Sequence, residues 1–421
     1  MKPLCRVLGA LVVAMIGAAW FLVPPAAAQA KDVIKIGVLL PLSGPLAYEG
    51  GEVLKGFEVA RAEQNARGGL FGKEIVFVKG DAVDAKAAVS EAERLISVEG
   101  VKIILGTFSS VLSFAATTVA EKNKVIYWET GAVADAITGR GYQYVFRNEP
   151  PASKLARAAG RFGTVTAAEI LGIPIKQYKV AIIGEDSSYG KAVSETLKQM
   201  VEEVGAQLVA YEFYSASTKD LSSLILRLKA KQPDALIPTT YVNDGILLHR
   251  QMKQLGFNVK VFVGTGVGHN TDKFRDAVGK DVNGVLVSGW PSVTISSEYA
   301  RGLPGFLKLY KTAFKDDVKS PHPFGNYNGA WLLWRVMEKA GSPDPEAIRK
   351  AALAFDEGDG YQPIGWGVKF APPGAPNAGQ NERPEWFVEQ WQNEKLHTVW
   401  PAKAMQKGLK VLLPFPQWNE R

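Results

Sequence analysis

The sequence of 421 residues holds a single cysteine, Cys5, and four histidines. Cys5 sits ahead of an apolar stretch running from Val7 to Val23, which Pro24-Pro25 breaks and Ala28-Gln29-Ala30 follows. With Lys2 and Arg6 at its head, that pattern predicts a secretory signal peptide over residues 1–30, cleaved after Ala30. A chain cut there has no cysteine, which excludes disulfides, a thiol nucleophile and thiolate metal ligands. His249, His269, His322 and His397 are scattered without metal-ligand spacing, so each reads as a surface or satisfied residue, and no metal or other cofactor is expected. No later stretch reaches the roughly 18 consecutive apolar residues of a membrane span. The formal charge of +7 is spread out, without the Lys/Arg block that tracks nucleic acid.

Enzyme motifs are also missing. Segment 184–190, GEDSSYG, followed by Lys191, approaches a phosphate-binding loop. It has five residues between its glycines instead of four, and Ala192 where Ser or Thr would meet magnesium. Gly264-Thr265-Gly266 lacks the third glycine of a dinucleotide fingerprint, and no G-x-S-x-G elbow occurs. No nucleophile stands beside a base, so a secreted hydrolase on this plan is not supported.

What is present is a regular alternation. Strand-like runs at 34–40, 74–78, 102–105 and 124–128 alternate with helix-like runs at 51–65, 85–98 and 111–122. After Pro150-Pro151 a helix over 153–171 opens a second series, with strands at 180–184, 208–213, 235–238 and 259–263 and helices at 192–204, 221–230 and 244–255. Repeated strand–helix units predict α/β lobes with mainly parallel, doubly wound sheets. The remainder gives a strand at 284–290, helices at 299–314, 330–340 and 345–355, and a hairpin-like pair at 386–391 and 397–400. These pieces are expected to cross back between two lobes and form a three-segment hinge. The predicted lobes are 31–149 plus 288–363, and 150–287 plus 364–421 with the hinge and tail.

In open α/β sheets ligands bind beyond the carboxyl ends of the strands. Polar clusters fall there at six places. Strand one runs into Tyr48 and Glu49, and strand three into Gly106, Phe108, Ser109 and Ser110. Strand four runs into Glu129, Gly131, Ala132 and Val133. In the second series Tyr189, Tyr241 and Gly266 hold equivalent places. Ser109 or Ser110 can cap the helix that follows, and the amides of that first turn can bind a carboxylate. A plain helix cap is the bland alternative. Trp331 and Trp334 lie at helical spacing and are expected in the core, while Trp386, Trp391 and Trp400 are expected to staple the hinge.

An ordered set of segments then resembles the type I periplasmic binding proteins of branched-chain amino-acid ABC transporters, the leucine/isoleucine/valine-binding family. It comprises Ile36-Gly37-Val38 with Leu42-Ser43-Gly44-Pro45, Asn65-Ala66-Arg67-Gly68-Gly69, the 106–110 stretch, 141–147, 186–190, Gln390-Trp391-Gln392 and Thr398-Val399-Trp400-Pro401. The resemblance implies a bilobed, non-catalytic clamp, monomeric and exported to the periplasm, that hands a hydrophobic amino acid to a membrane permease. It implies that Ser110, with Ser109 and Phe108 beside it, meets the ligand carboxylate. Gly131, Ala132 and Val133 follow, with Val133 in place of the family's threonine, and Tyr189 and Tyr241 come from the second lobe. The glutamate that holds the α-ammonium in that family is matched here by Thr265-Gly266-Val267. Either Glu49, Glu129 or Asp186 supplies the charge from another direction, or the ligand is an aromatic or aliphatic carboxylate or an amide. A sensory module that presents ligand without transport would share the same fold.

Overall fold

The computed structural model describes residues 32–421; the leader read at 1–30 lies outside the described residues. The first sheet contains β1 (Val33–Leu40), β2 (Glu74–Asp81), β3 (Ile103–Gly106), β4 (Ile126–Glu129) and β5 (Val145–Arg147), all parallel in the order β2-β1-β3-β4-β5. β1 reads VIKIGVLL and is buried over its last five residues, as a central strand covered on both faces must be. Its register sets Ile36 against Phe77 and Gly37 against Ile104. Helices α1 (Ala47–Ala66), α2 (Ala85–Ser97) and α3 (Ser110–Lys122) make the crossovers.

After β5 the chain passes through 148–151 into α4 (Ala152–Arg161), a π-helical turn at Phe162–Thr166 and α5 (Ala167–Leu171). It then builds the second sheet from β6 (Lys179–Glu185), β7 (Gln207–Tyr214), β8 (Ala235–Thr240), β9 (Val261–Gly266) and β10 (Leu286–Gly289). Helices α6 (Ser188–Val204), α7 (Ser222–Lys231), α8 (Val242–Gln254) and α9 (Asp272–Val278) connect them. The parallel order β7-β6-β8-β9-β10 repeats the winding of the first sheet.

From β10 the chain returns. α10 (Leu303–Phe314), α11 (His322–Ala340) and α12 (Pro345–Leu353) pack on the first sheet's side, with α11 lying along α1. Short strands β11 (Asp356–Glu357) and β12 (Val368–Lys369) pair, and Gln380 then bridges to Arg147 at the edge of β5. The chain finally re-enters the second sheet as the antiparallel hairpin β13 (Phe387–Gln392) and β14 (Lys395–Trp400). The expected hairpin is therefore a pair of sheet strands, and the second sheet ends in antiparallel strands.

Three chain segments thus join the sheets. Buried polar side chains tie them together. Asn381 Nδ2 donates to Asn148 Oδ1 at 2.9 Å, Asn148 Nδ2 to Gln362 Oε1 at 2.9 Å, and Gln380 Nε2 to the Glu149 carbonyl at 2.7 Å. Arg147 donates to Gln380 Oε1 at 2.6 Å and to the Ala134 carbonyl at 2.7 Å. Burial lowers its pKa to about 10, which still leaves it charged at neutral pH.

Helix α11 begins eight residues before the expected start at 330. Its first half, HPFGNYNG, is rich in poor helix formers. Packing explains them: a Cβ on Gly325 would lie 2.4 Å from Trp290 Cδ1. Tertiary contact has overruled local propensity there. Trp334 lies in the core as expected, whereas Trp331 is only half-buried and packs edge-on against Tyr361.

Candidate functional site

A cavity lies between the two sheets, and its wall comes from strand ends. Phe108 and Ser110 follow β3, and Gly131 and Val133 follow β4. Opposite them stand Tyr189, Tyr241, Gly266 and Val267, from the ends of β6, β8 and β9. Leu155, Trp290 and Trp386 come from the connecting segments. About 20 Å³ within is open to the centre of a water molecule.

Seven of the residues expected at the site line this cavity: Phe108, Ser110, Gly131, Val133, Tyr189, Tyr241 and Gly266. Ser109 and Ala132 are buried beside it without lining it. Tyr48 and Glu49 stand elsewhere. They occupy the amino end of α1, where it meets the amino ends of α8 and α9. Lys273 Nζ lies 5.1 Å from the Tyr48 ring centroid and donates to Asn243 Oδ1 at 3.0 Å. Asn243 Nδ2 in turn donates to the Pro45 carbonyl at 3.4 Å. Burial pushes the Glu49 carboxyl up, opposed by its own backbone amide and by Lys273, and neither carboxylate oxygen has a hydrogen-bond partner. Asp186 is exposed.

Glu129 explains the geometry of the first wall. It is fully buried at the end of β4. Its oxygens accept from the amides of Thr107 (2.8 Å), Phe108 (3.5 Å), Thr130 (3.0 Å), Gly131 (2.8 Å) and Ala132 (2.8 Å). The hydroxyls of Ser113 (2.5 Å) and Thr107 (3.3 Å) also donate to it. Burial drives its pKa up while these donors pull it down. A carboxylic acid would aim its proton at a ring of donors, so the arrangement fits the acceptor-only carboxylate. One side chain thereby shapes the loops after β3 and β4, and holds Phe108 at φ +96°, a conformation that a bulky residue keeps only when its surroundings impose it. Glu185 does the same in the second sheet, accepting from Ser187 N (2.8 Å), Ser187 Oγ (2.6 Å) and Gly190 N (2.8 Å).

The serine pair differs from a plain helix cap. Ser109 is the N-cap of α3, but its side chain makes no capping bond. Ser110 Oγ accepts from the Ala134 amide at 3.1 Å and links the two loops. Tyr189 donates from its hydroxyl to the Thr265 carbonyl at 2.9 Å. The Tyr241 phenol faces the hydroxyls of Ser109 and Ser187, and burial drives its pKa up. Its ring reaches both walls, 6.4 Å from Phe108 and 5.4 Å from Tyr189 between centroids.

Several lining residues escaped the sequence reading. Trp290 directly follows β10, where the strand-end rule reaches, but no polar cluster marks the place. Leu155 sits in the first turn of a helix, where no strand-end signal exists. Trp386 does staple the hinge, donating to the Pro151 carbonyl at 3.2 Å, and it also lines the cavity, contrary to expectation. Its ring stands edge-on to Trp290 at 4.9 Å. The histidines depart further from expectation. His269 and His322 are buried with neither ring nitrogen bonded.

A family model described as periplasmic binding protein matches residues 33–393. The Leu/Ile/Val-binding protein homolog 8 of Brucella abortus is 38% identical over 372 residues, spanning 88% of this chain and 91% of the relative. Among solved structures, a leucine-binding protein from Thermotoga maritima superposes with a TM-score of 0.74 at 23% identity, covering 87% of this chain and 97% of that one. A solute-binding protein of an ABC transporter from R. palustris, solved with 4-hydroxybenzoate, gives 0.74 at 21% identity, covering 92% and 99%. Such proteins are substrate-binding components of transporters, not enzymes. Two lobes wound alike, a cavity walled by their strand ends and these matches lead to one assignment: the chain belongs to the periplasmic binding protein family.

Proposed function

We propose that the protein is the solute receptor of an ABC importer, and that its solute is a small carboxylate with an aromatic or aliphatic body and no α-ammonium. One observation carries the choice of solute: no charged side chain lines the cavity among the described residues. Glu129 is enclosed by donors, Asp186 is exposed, and Glu49 stands at the amino end of α1 outside the cavity lining. A buried ammonium with no counter-charge costs several kcal/mol. A carboxylate has no such difficulty. The Ser110 hydroxyl and the first-turn amides of α3, which lack intrahelical partners, supply donors, and Phe108, Val133, Leu155, Trp290 and Trp386 supply apolar surface.

The competing reading, a branched-chain amino acid, is favoured by the names of the curated relatives, and the 4-hydroxybenzoate bound by the R. palustris protein favours the first. Thermal unfolding in the presence of leucine, valine, benzoate and 4-hydroxybenzoate separates them. A ligand at about 100 times its Kd stabilises the folded state by about 2.7 kcal/mol. The acids are expected to raise the melting temperature and the amino acids to leave it unchanged. The reverse result would overturn the choice of solute.

Removal of one charge-assisted hydrogen bond costs about 1–3 kcal/mol. Ser110→Ala is accordingly expected to weaken binding of the stabilising acid roughly 5- to 150-fold by calorimetry. Full affinity in that variant would mean that Ser110 serves only to tether the Ala134 amide.

Export through a cleaved leader, a monomeric state and delivery to a permease complete the proposal. The lobes would move about the hinge, near the divisions 31–149 with 288–363 and 150–287 with 364–421. Pairing suggests adjusting these so that β10 goes with the second lobe and 368–381 with the first.

A further inference from the structure

We infer that the cavity continues behind its aromatic wall into a neutral polar subsite, formed by His322 and the Trp290 indole N–H, that takes a hydroxyl at the far end of the solute. The inference rests on the carboxylate reading above and extends it to the solute's other end.

His322 opens α11 and has no exposed surface. Its ring stands edge-on to Phe108 at 5.4 Å and to Trp290 at 5.4 Å, and both of those rings line the cavity. Neither imidazole nitrogen has a hydrogen-bond partner, and neither does Trp290 Nε1. These three orphans lie together. Gly325, one turn along α11 from His322, leaves the space that the indole edge fills; a Cβ there would come within 2.7 Å of Trp290 Nε1. The next polar residue on the helix behaves differently. Asn326 accepts from Thr130 Oγ1 at 2.7 Å and donates to the His322 carbonyl at 3.0 Å. Asn326 is thus satisfied by protein partners, whereas the ring nitrogens of His322 and Trp290 beside the cavity are not.

Buried polar atoms are nearly always paired, and each one left without a partner is costly. A solute group that bonds them would recover that loss, and their chemistry says which group. Burial alone lowers the His322 pKa to about 3, so the ring is neutral at ordinary pH. A neutral imidazole has one donor and one acceptor nitrogen, and the indole adds a second donor. A hydroxyl can give its proton to the bare imidazole nitrogen and accept from the indole N–H. A second carboxylate would face the bare nitrogen's lone pair, and an ammonium would face two N–H groups.

Calorimetry with benzoate, 3-hydroxybenzoate and 4-hydroxybenzoate tests this on the wild-type protein, His322→Phe and Trp290→Phe. One hydroxylated acid is expected to bind the wild type about tenfold or more tightly than benzoate, since sites built to bond a hydroxyl discriminate strongly against its absence. In each variant that ratio is expected to fall to within about threefold of one. His322→Phe removes both unpaired nitrogens and Trp290→Phe only the indole N–H, so failure of one to fold leaves the other to decide. Equal wild-type affinity for the three acids, or a preference kept in a folded variant, overturns the subsite and leaves the carboxylate reading standing. Binding of leucine with no binding of any acid overturns both.

Discussion

Glu129→Leu is expected to lower the free energy of unfolding by about 3–5 kcal/mol, the range for removing one partner from a buried charged network. Urea unfolding should show the midpoint falling with little change in slope. The magnitude follows from what the carboxylate holds. Five backbone amides and two hydroxyls converge on it from the loops after β3 and β4 and, for Ser113, from α3. Leucine fills similar space but accepts nothing, so those donors stay buried and unpaired. Phe108, at φ +96°, would lose the frame that imposes its backbone conformation. Solute binding should fail along with stability, because Phe108, Gly131 and Val133 all stand on these two loops. A stability loss under about 1 kcal/mol would mean that the amides find other partners, and that Glu129 does not organise the wall.

Gly266→Ala is expected to reduce solute affinity by about 100-fold or more, with a loss of stability of about 1–3 kcal/mol. Gly266 lies at φ +68°, where any other residue is strained. Space is the larger problem. A Cβ at 266 would lie 2.1 Å from the Tyr189 hydroxyl oxygen, which donates to the Thr265 carbonyl at 2.9 Å. The tyrosine must swing away, and its ring is part of the cavity wall, 5.4 Å from Tyr241. The double variant Gly266→Ala/Tyr189→Phe removes the atom that clashes, so it should recover part of the affinity. A Gly266→Ala protein that binds normally would show that the wall adapts without the glycine.

Alternating apolar runs made both series of strands and helices legible, because buried parallel strands such as β1 carry near-continuous apolar sequence. The strand-end rule then placed Phe108, Ser110, Gly131, Val133, Tyr189, Tyr241 and Gly266 around one cavity. Features fixed by distant packing were not legible. The first half of α11 looks unlike a helix because Gly325 is there to admit Trp290. Sequence offers Glu129 as a partner for an ammonium, since it shows a carboxylate at a strand end but not the amides folded around it. β5 escaped notice because three residues, Val145–Arg147, give no periodicity to detect.

Tyr241 has a kinetic consequence. Its phenol reaches Ser109 across the gap, where the two walls come together. On the proposed receptor reading, separating the lobes parts Tyr241 from Ser109, so a transporter that drew them open would release the solute without competing for its hydrogen bonds.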